Sequence, residues 1–290
     1  YIKTLRDAGV YTRSFLPFRW QISRTNKINY RNHRKLVVID GKVGFTGGVN
    51  IADRYRYGDK LGEWRDTFVR IEGAAVHGIQ LLFMVDWYFV DRKLIVGDKY
   101  FPEPPKFDTN LIQIVSSGPD SDWGAIMQGI ASAVMSATKY IYIQSPYFMP
   151  NETVLNCIQM AALSGIDVRL MIPMKSDSRF SDASTSSYMG QILEAGVRVF
   201  RYKDGFIHSK AIVIDDFISI IGSTNMDERS FEQNFEANAF IYDPKTSETL
   251  RDLFITDIRH CEELTLETWS ARKHKQKLKE SVARLFSPLL

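Results

Sequence analysis

Cysteine is scarce in this chain. Cys157 and Cys261 are the only two in 290 residues, with neither a CxxC pair nor a zinc-type spacing. A multi-disulfide scaffold and a cysteine-based metal site are thereby excluded, and both thiols read as buried or incidental. Long apolar runs are missing too; none reaches the roughly 18 residues of a membrane-crossing helix. Charge of one sign is also lacking. Lys and Arg number 37 against 34 Asp and Glu, a net charge of +3, which is too weak a field to imply a nucleic-acid partner by itself. Hydrophobic content of 44% and charged content of 24% describe an ordinary globular chain. Histidine is sparse as well, with five in all.

Two of those five open the same pattern. His33-Arg34-Lys35-Leu36-Val37-Val38-Ile39-Asp40 reads His-x-Lys-x4-Asp, and so does His208-Ser209-Lys210-Ala211-Ile212-Val213-Ile214-Asp215. The offset (208 − 33 = 175) holds through Gly47/Gly222, Asn50/Asn225 and Arg54/Arg229. Upstream, Tyr1–Val10 aligns with Tyr188–Val197; downstream, Trp64–Val69 aligns with Asn234–Ala239, which sets Asp66 opposite Glu236. A repeat this long predicts a duplicated domain rather than a solenoid. The segment from Ile112 to Tyr188 has no first-half counterpart. The expectation is a chain that starts part-way through its first domain, any membrane anchor before Tyr1 lying outside it.

Leu36–Ile39 and Ala211–Ile214 are continuous apolar runs rich in β-branched residues, predicted as strands buried on both faces. Val43–Thr46 and Ile218–Ile221 read as return strands, and Ala74–Tyr88 and Ser247–Ile258 as helices closing each half. In the second half, Leu111–Val115, Tyr140–Gln144 and Val168–Ile172 read as strands, and Trp123–Ala137 and Glu152–Leu163 as helices. Such alternation predicts α/β architecture with a mixed sheet covered by helices. Lys93–Asn110, with Gly97 and three prolines, reads as the linker, giving halves at 1–107 and 108–290.

The doubled motif points to double displacement at phosphorus. A neutral imidazole can attack, giving a phosphohistidine. A second imidazole can protonate the leaving oxygen and later deprotonate the incoming alcohol. Two histidines near their ordinary pKa of about 6.5 suit both roles. Lys35 and Lys210 would neutralise phosphate charge, with Asn50 and Asn225 adding amide donors. Asp40 and Asp215, or else Asp66 and Glu236, would hold the far nitrogen of each ring. Ser223, Thr46, Gly47, Gly48 and Gly222 permit close approach to the substrate. The scheme needs no metal and no other cofactor, so activity in chelator is expected.

These motifs resemble the phospholipase D superfamily, whose mark is the paired His-x-Lys-x4-Asp. Within it, Asn32–Tyr55, Ile143–Pro150, Phe206–Asp216, Gly222–Asn238 and Ala283–Leu290 look like bacterial cardiolipin synthases. The resemblance implies two pseudo-twofold-related α/β/α domains with mixed sheets, the first incomplete at its N-terminus, and a site between them. It implies transfer of a phosphatidyl group from one phosphatidylglycerol to another with release of glycerol. It further implies His33 as nucleophile, His208 as acid/base, a bacterial cell-membrane location and no nucleic-acid partner. Hydrolytic phospholipase D and phospholipase D-type nuclease chemistry are the alternatives, since the covalent intermediate is shared.

Four other segments carry expectations. His77, His260 and His274 read as structural or surface residues. Tyr147–Pro150 reads as an acyl-chain groove or a buried plug, and Ser176–Ser187 as a polar loop. The basic C-terminal run Arg272–Lys279, with Leu278, Val282 and Leu285 at helical spacing, predicts an amphipathic helix. It lies either on an anionic membrane or with its apolar stripe against the domain.

Overall fold

The computed structural model describes residues 1–16, 30–105 and 110–286. Its first half is an antiparallel meander of β1 (Leu36–Ile39), β2 (Val43–Gly47) and β3 (Phe68–Glu72), followed by α1 (Val76–Asp91). The second half runs β4 (Leu111–Ser117), α2 (Ala125–Met135), β5 (Tyr140–Gln144), α3 (Glu152–Leu163), β6 (Asp167–Pro173), α4 (Arg179–Glu194) and β7 (Arg198–Tyr202). It continues through β8 (Ala211–Ile214), β9 (Ile218–Gly222), β10 (Asn234–Tyr242), α5 (Pro244–Ile258), β11 (Cys261–Leu264) and α6 (His274–Leu285). The large sheet has the order β11-β7-β6-β5-β8-β9-β10-β4. It is parallel through β5, β6 and β7 and antiparallel from β5 to β8 onward, a mixed α/β sheet as expected.

Both faces of this sheet are covered, which is why β5 and β8 are buried along their full length and are apolar without alternation. On one face Ile126, Ile130, Leu155, Ile158, Met189 and Ile192 from α2, α3 and α4 pack on Ile141, Ile143, Leu170, Val199 and Ile212. On the other, Leu250 and Phe254 of α5 join Ile71, Val76 and Ile79 of the first half over Tyr142, Val213, Ile221 and Ala239. The first half therefore rests on the second through a shared core. Side-chain caps start α3 and α5: Asn151 accepts from the Val154 N–H at 3.2 Å and Asp243 from the Thr246 N–H at 2.8 Å, filling helix N-termini that otherwise lack acceptors.

Two expectations need correction. Ser176–Ser187 is largely helical: Ser178 caps α4, whose buried face uses Ala183, Ser184, Thr185 and Tyr188. Small hydroxyl residues allow the close approach of α6, where the Ser184 hydroxyl donates to the Ala283 carbonyl at 3.2 Å. Strand β1 is not buried on both faces; Val37 is 43% and Ile39 49% exposed. Its counterpart β8 has β5 as a neighbour, whereas β1 pairs, among the described residues, only with β2. Within the expected linker, the Pro102 carbonyl lies 3.0 Å from His77 Nε2, and the Phe101 ring stands edge-on to that imidazole. The expected boundary at residue 107 lies outside the described residues.

The halves exchange short strands around the two motifs. Arg31–Asn32 pairs in parallel with Asn234–Phe235, and Phe206–Ile207 pairs in parallel with Trp64–Arg65. Next along the chain, the His33 N–H donates to the Phe235 carbonyl at 2.9 Å, and the His208 N–H to the Arg65 carbonyl at 2.8 Å. Each histidine thus enters from one half and is registered by the strand that follows the motif of the other.

Candidate active site

That reciprocal register sets a carboxylate from the opposite half beside each ring. His33 Nδ1 lies 2.8 Å from Glu236 Oε1, and His208 Nδ1 lies 2.7 Å from Asp66 Oδ2. Both carboxylates are buried, with side chains 0% and 3% exposed. A carboxylate at Nδ1 holds the proton there and leaves Nε2 as the basic nitrogen; at His208 the Lys210 ammonium stands 2.9 Å from Nε2 and 2.8 Å from Nδ1. Each ring is reinforced by its own lysine, whose ammonium donates to the backbone carbonyl of its histidine: Lys35 to His33 at 2.7 Å and Lys210 to His208 at 2.6 Å.

Asp66 and Glu236 therefore occupy the ring-holding position, and Asp40 and Asp215 do not reach the rings. The physical reason is the strand between them. Each aspartate sits in a left-handed turn (φ +53° and +54°) at the far end of β1 or β8. Asp215 accepts from the N–H groups of Lys139 and Tyr140, each at 2.8 Å, and from the Thr138 hydroxyl at 2.8 Å. Burial alone would raise its carboxyl, but these donors outweigh it and hold the pKa below the ordinary value. Asp40 is exposed in its turn.

The remaining expected residues divide between the site and its supports. Asn225 is buried and lines the site, and its Oδ1 has no partner among the described residues. Asn50 donates to the Tyr55 hydroxyl at 2.9 Å, which in turn lies 3.0 Å from His208 Nδ1. Ser223 is not placed to bind substrate: it is fully buried, donates to Glu236 and accepts from the Ala237 N–H at 3.0 Å. Gly48 is likewise a support, since a Cβ there would meet Asp66 Oδ1 at 2.2 Å. Tyr147 lines the space by His33 with its hydroxyl donating to Asp177 at 2.9 Å, whereas Phe148 and Met149 are buried plugs.

The sequence reading missed what surrounds His208. Tyr55, Trp64 and Phe206 stand around its ring with centroids 5.8, 5.2 and 6.0 Å away. The signal was available as broken repeat symmetry. At the repeat offsets Tyr55 faces Ser230, Trp64 faces Asn234 and Phe206 faces Arg31. His33 instead borders a cavity of about 380 Å³ lined by Arg31, Tyr147, Asn225, Asp227 and Asn234.

Electrostatically the site is a set of cations around a gap. Burial pushes Lys35 down to about 8 against the pull of Glu236 and Asp66. Burial also brings Lys210 down to about 7, with Asp66 opposing and Lys35 adding to the fall. His208 is lowered well below its ordinary value by burial, then by Lys210, Lys35 and His33. Asp66 is raised to about 6 by burial despite Lys210. An anion seated among Lys35, Lys210 and His208 would relieve their mutual repulsion and favour their charged forms.

Comparison with known proteins gives three findings. Residues 130–258 match the family described as "Cardiolipin synthase, PLD-like domain". The whole chain aligns with a cardiolipin synthase of Listeria innocua at 44% identity, covering 61% of that protein. It aligns equally with cardiolipin synthase 2 of Staphylococcus epidermidis, at 44% identity and 60% coverage; the chain thus spans about three fifths of these relatives. Among solved structures, a phosphatidylserine synthase of Haemophilus influenzae superposes on 90% of this chain and 69% of its own, with a TM-score of 0.66 at 17% identity. That likeness concerns the fold.

Proposed function

We propose that this chain, which belongs to the phospholipase D superfamily, is the catalytic part of a phosphatidyltransferase that joins two phosphatidylglycerol molecules into cardiolipin at a membrane surface. The observation that carries the reading is the pair of imidazoles, each held at Nδ1 by a buried carboxylate of the other half and each beside its own lysine, Lys210 buried and Lys35 half-buried. The similarity to proteins named cardiolipin synthase supports the choice of substrate.

In the proposed reaction the donor phosphodiester sits against Lys35 and Lys210. His33, open to the cavity with its side chain 27% exposed, attacks phosphorus through Nε2. The phosphorus–oxygen bond to glycerol breaks as His208 delivers a proton to the departing oxygen, leaving a phosphatidyl-histidine. His208 then takes the proton of a hydroxyl on the second phosphatidylglycerol. That oxygen attacks phosphorus, the phosphorus–nitrogen bond breaks and cardiolipin leaves. Burial and its cationic neighbours hold His208 neutral, so its acid role depends on the bound phosphate raising its pKa. The unpartnered Asn225 Oδ1 suits a hydroxyl of the headgroup.

The test is product analysis with phosphatidylglycerol as sole substrate in mixed micelles. Cardiolipin with glycerol is expected. Phosphatidic acid in place of cardiolipin would make the chain a hydrolase; cleavage of nucleic acid without lipid turnover would overturn the lipid reading. His33→Ala and His208→Ala should each lower turnover by at least about a thousandfold. Acid-quenched enzyme should carry the phosphatidyl label on His33, and label on His208 would reverse the two roles.

A further inference from the structure

Helix α6 presents its apolar side to solvent. Glu280 and Ala283 face inward, where Glu280 accepts from the Arg272 guanidinium at 3.1 Å. Arg284 reaches the Gln191 side chain of α4 at 3.2 Å, so the helix is seated. Leu278, Val282 and Leu285 remain 68%, 47% and 78% exposed. At about 100° of rotation per residue these three fall in an arc of roughly 60°, opposite the inward pair. Lys275 and Lys279 flank the arc on one side and Lys277 on the other. The only carboxylate of the helix, Glu280, is turned inward.

The ridge also has a direction. Phe286 at its end is 47% exposed, and its ring lies 6.2 Å from that of Phe180, itself 38% exposed. Phe180 stands between Ser178 and Ser181 at the start of α4, and both serines line the cavity beside His33. An exposed apolar ridge edged with lysines thus leads from α6 to the entrance of the site.

We propose that the outward face of α6, continued by Phe286 and Phe180, docks on an anionic lipid bilayer and so sets the entrance of the His33 cavity at the headgroups. The chemistry that recognises the surface is apolar insertion combined with attraction between lysines and anionic headgroups. The purpose of the docking rests on the lipid-substrate reading; the docking itself is measured without turnover. Flotation of the full chain with vesicles of phosphatidylglycerol and phosphatidylcholine, against phosphatidylcholine alone, reads it directly. Binding to the anionic vesicles is expected to fall about tenfold or more in Leu278→Ser/Val282→Ser/Leu285→Ser and also in Lys275→Glu/Lys279→Glu. Hydrolysis or transfer of a monomeric short-chain phosphatidylglycerol should be unchanged in both variants. In case the triple variant misfolds, Val282→Trp supplies a second reading, with tryptophan emission shifting to the blue on anionic vesicles relative to the parent chain. Undiminished binding by the folded variants, equal binding to phosphatidylcholine alone, or an unmoved emission spectrum in Val282→Trp each overturns the proposal. A chain that binds vesicles through this face but makes no cardiolipin leaves the docking intact and removes the synthase reading instead.

Discussion

Around His208 the fold gathers Tyr55, Trp64 and Phe206; at the matching positions of the repeat the sequence has Ser230, Asn234 and Arg31. Both rings keep the same motif and the same cross-half carboxylate. The enclosed ring has a side chain 8% exposed and the open one 27%. The difference teaches where a division of labour is written. The repeated residues supply two like imidazoles, and the unrepeated ones decide which of them is open to water. An aromatic wall also strengthens every charge interaction at His208, because it removes the water that would screen them.

The sharpest way to break this comparison is to convert each carboxylate to its amide. Asp66 is committed on both oxygens: Oδ2 to His208, and Oδ1 to the Thr67 N–H at 2.7 Å. A backbone N–H cannot reverse. In Asp66→Asn the amide oxygen must therefore face Thr67, its NH2 faces Nδ1, and the ring proton is driven to the wrong nitrogen. Turnover should fall roughly ten-thousandfold, the cost of a mis-set tautomer in such a pair. Glu236 is committed on its second oxygen to the Ser223 hydroxyl, which can turn and accept. Glu236→Gln can keep its oxygen toward His33 and should lose only about tenfold. Equal losses in steady-state assays would mean that the two carboxylates are held alike.

Much of this was legible before the fold was known. The apolar runs at β1, β5 and β8 and the patterns of α1, α3 and α5 mark strands and helices because chain period and burial agree there. His33, Lys35, His208 and Lys210 stand out because they repeat at one offset. Three things were not legible, each for a physical reason. The choice of Asp66 and Glu236 over Asp40 and Asp215 depends on strand exchange between halves, a contact no local pattern encodes. The α4 surface is buried through Ser184 and Thr185, whose hydroxyl groups read as solvent-seeking until the Ala283 carbonyl of α6 and the Phe148 N–H supply their partners. The exposure of Val37 and Ile39 reflects what lies beside β1, not β1 itself.

A second, smaller effect separates the two lysines. Sulfate, a dianion throughout pH 6–9, serves as a competitive probe of the anion gap. Both lysines have depressed pKa values, so they are charged below those values and lose charge as pH rises. Inhibition by sulfate should weaken through about 7, where Lys210 titrates, and again through about 8, where Lys35 does. Lys210→Met should leave only the upper step, and Lys35→Met only the lower one. A profile insensitive to either substitution would show that neither ammonium faces the anion.

The smallest expected effects concern the two motif aspartates, where the halves differ again. Asp215 accepts several donors that tie the turn after β8 to the start of β5, so it binds two strands of the large sheet together. Asp40 ends a strand with no such neighbour. Asparagine tolerates the left-handed turn at both positions, so substitution removes charge and acceptor capacity without backbone strain. Asp215→Asn leaves an NH2 among donors and should cost about 1–2 kcal/mol in urea unfolding. Asp40→Asn should stay within about 0.5 kcal/mol. Neither should move kcat by more than about twofold at temperatures where the protein stays folded, since neither side chain reaches an imidazole. A large catalytic loss in folded Asp40→Asn would place that residue in the chemistry after all, and would require β1 to shift toward the site during turnover.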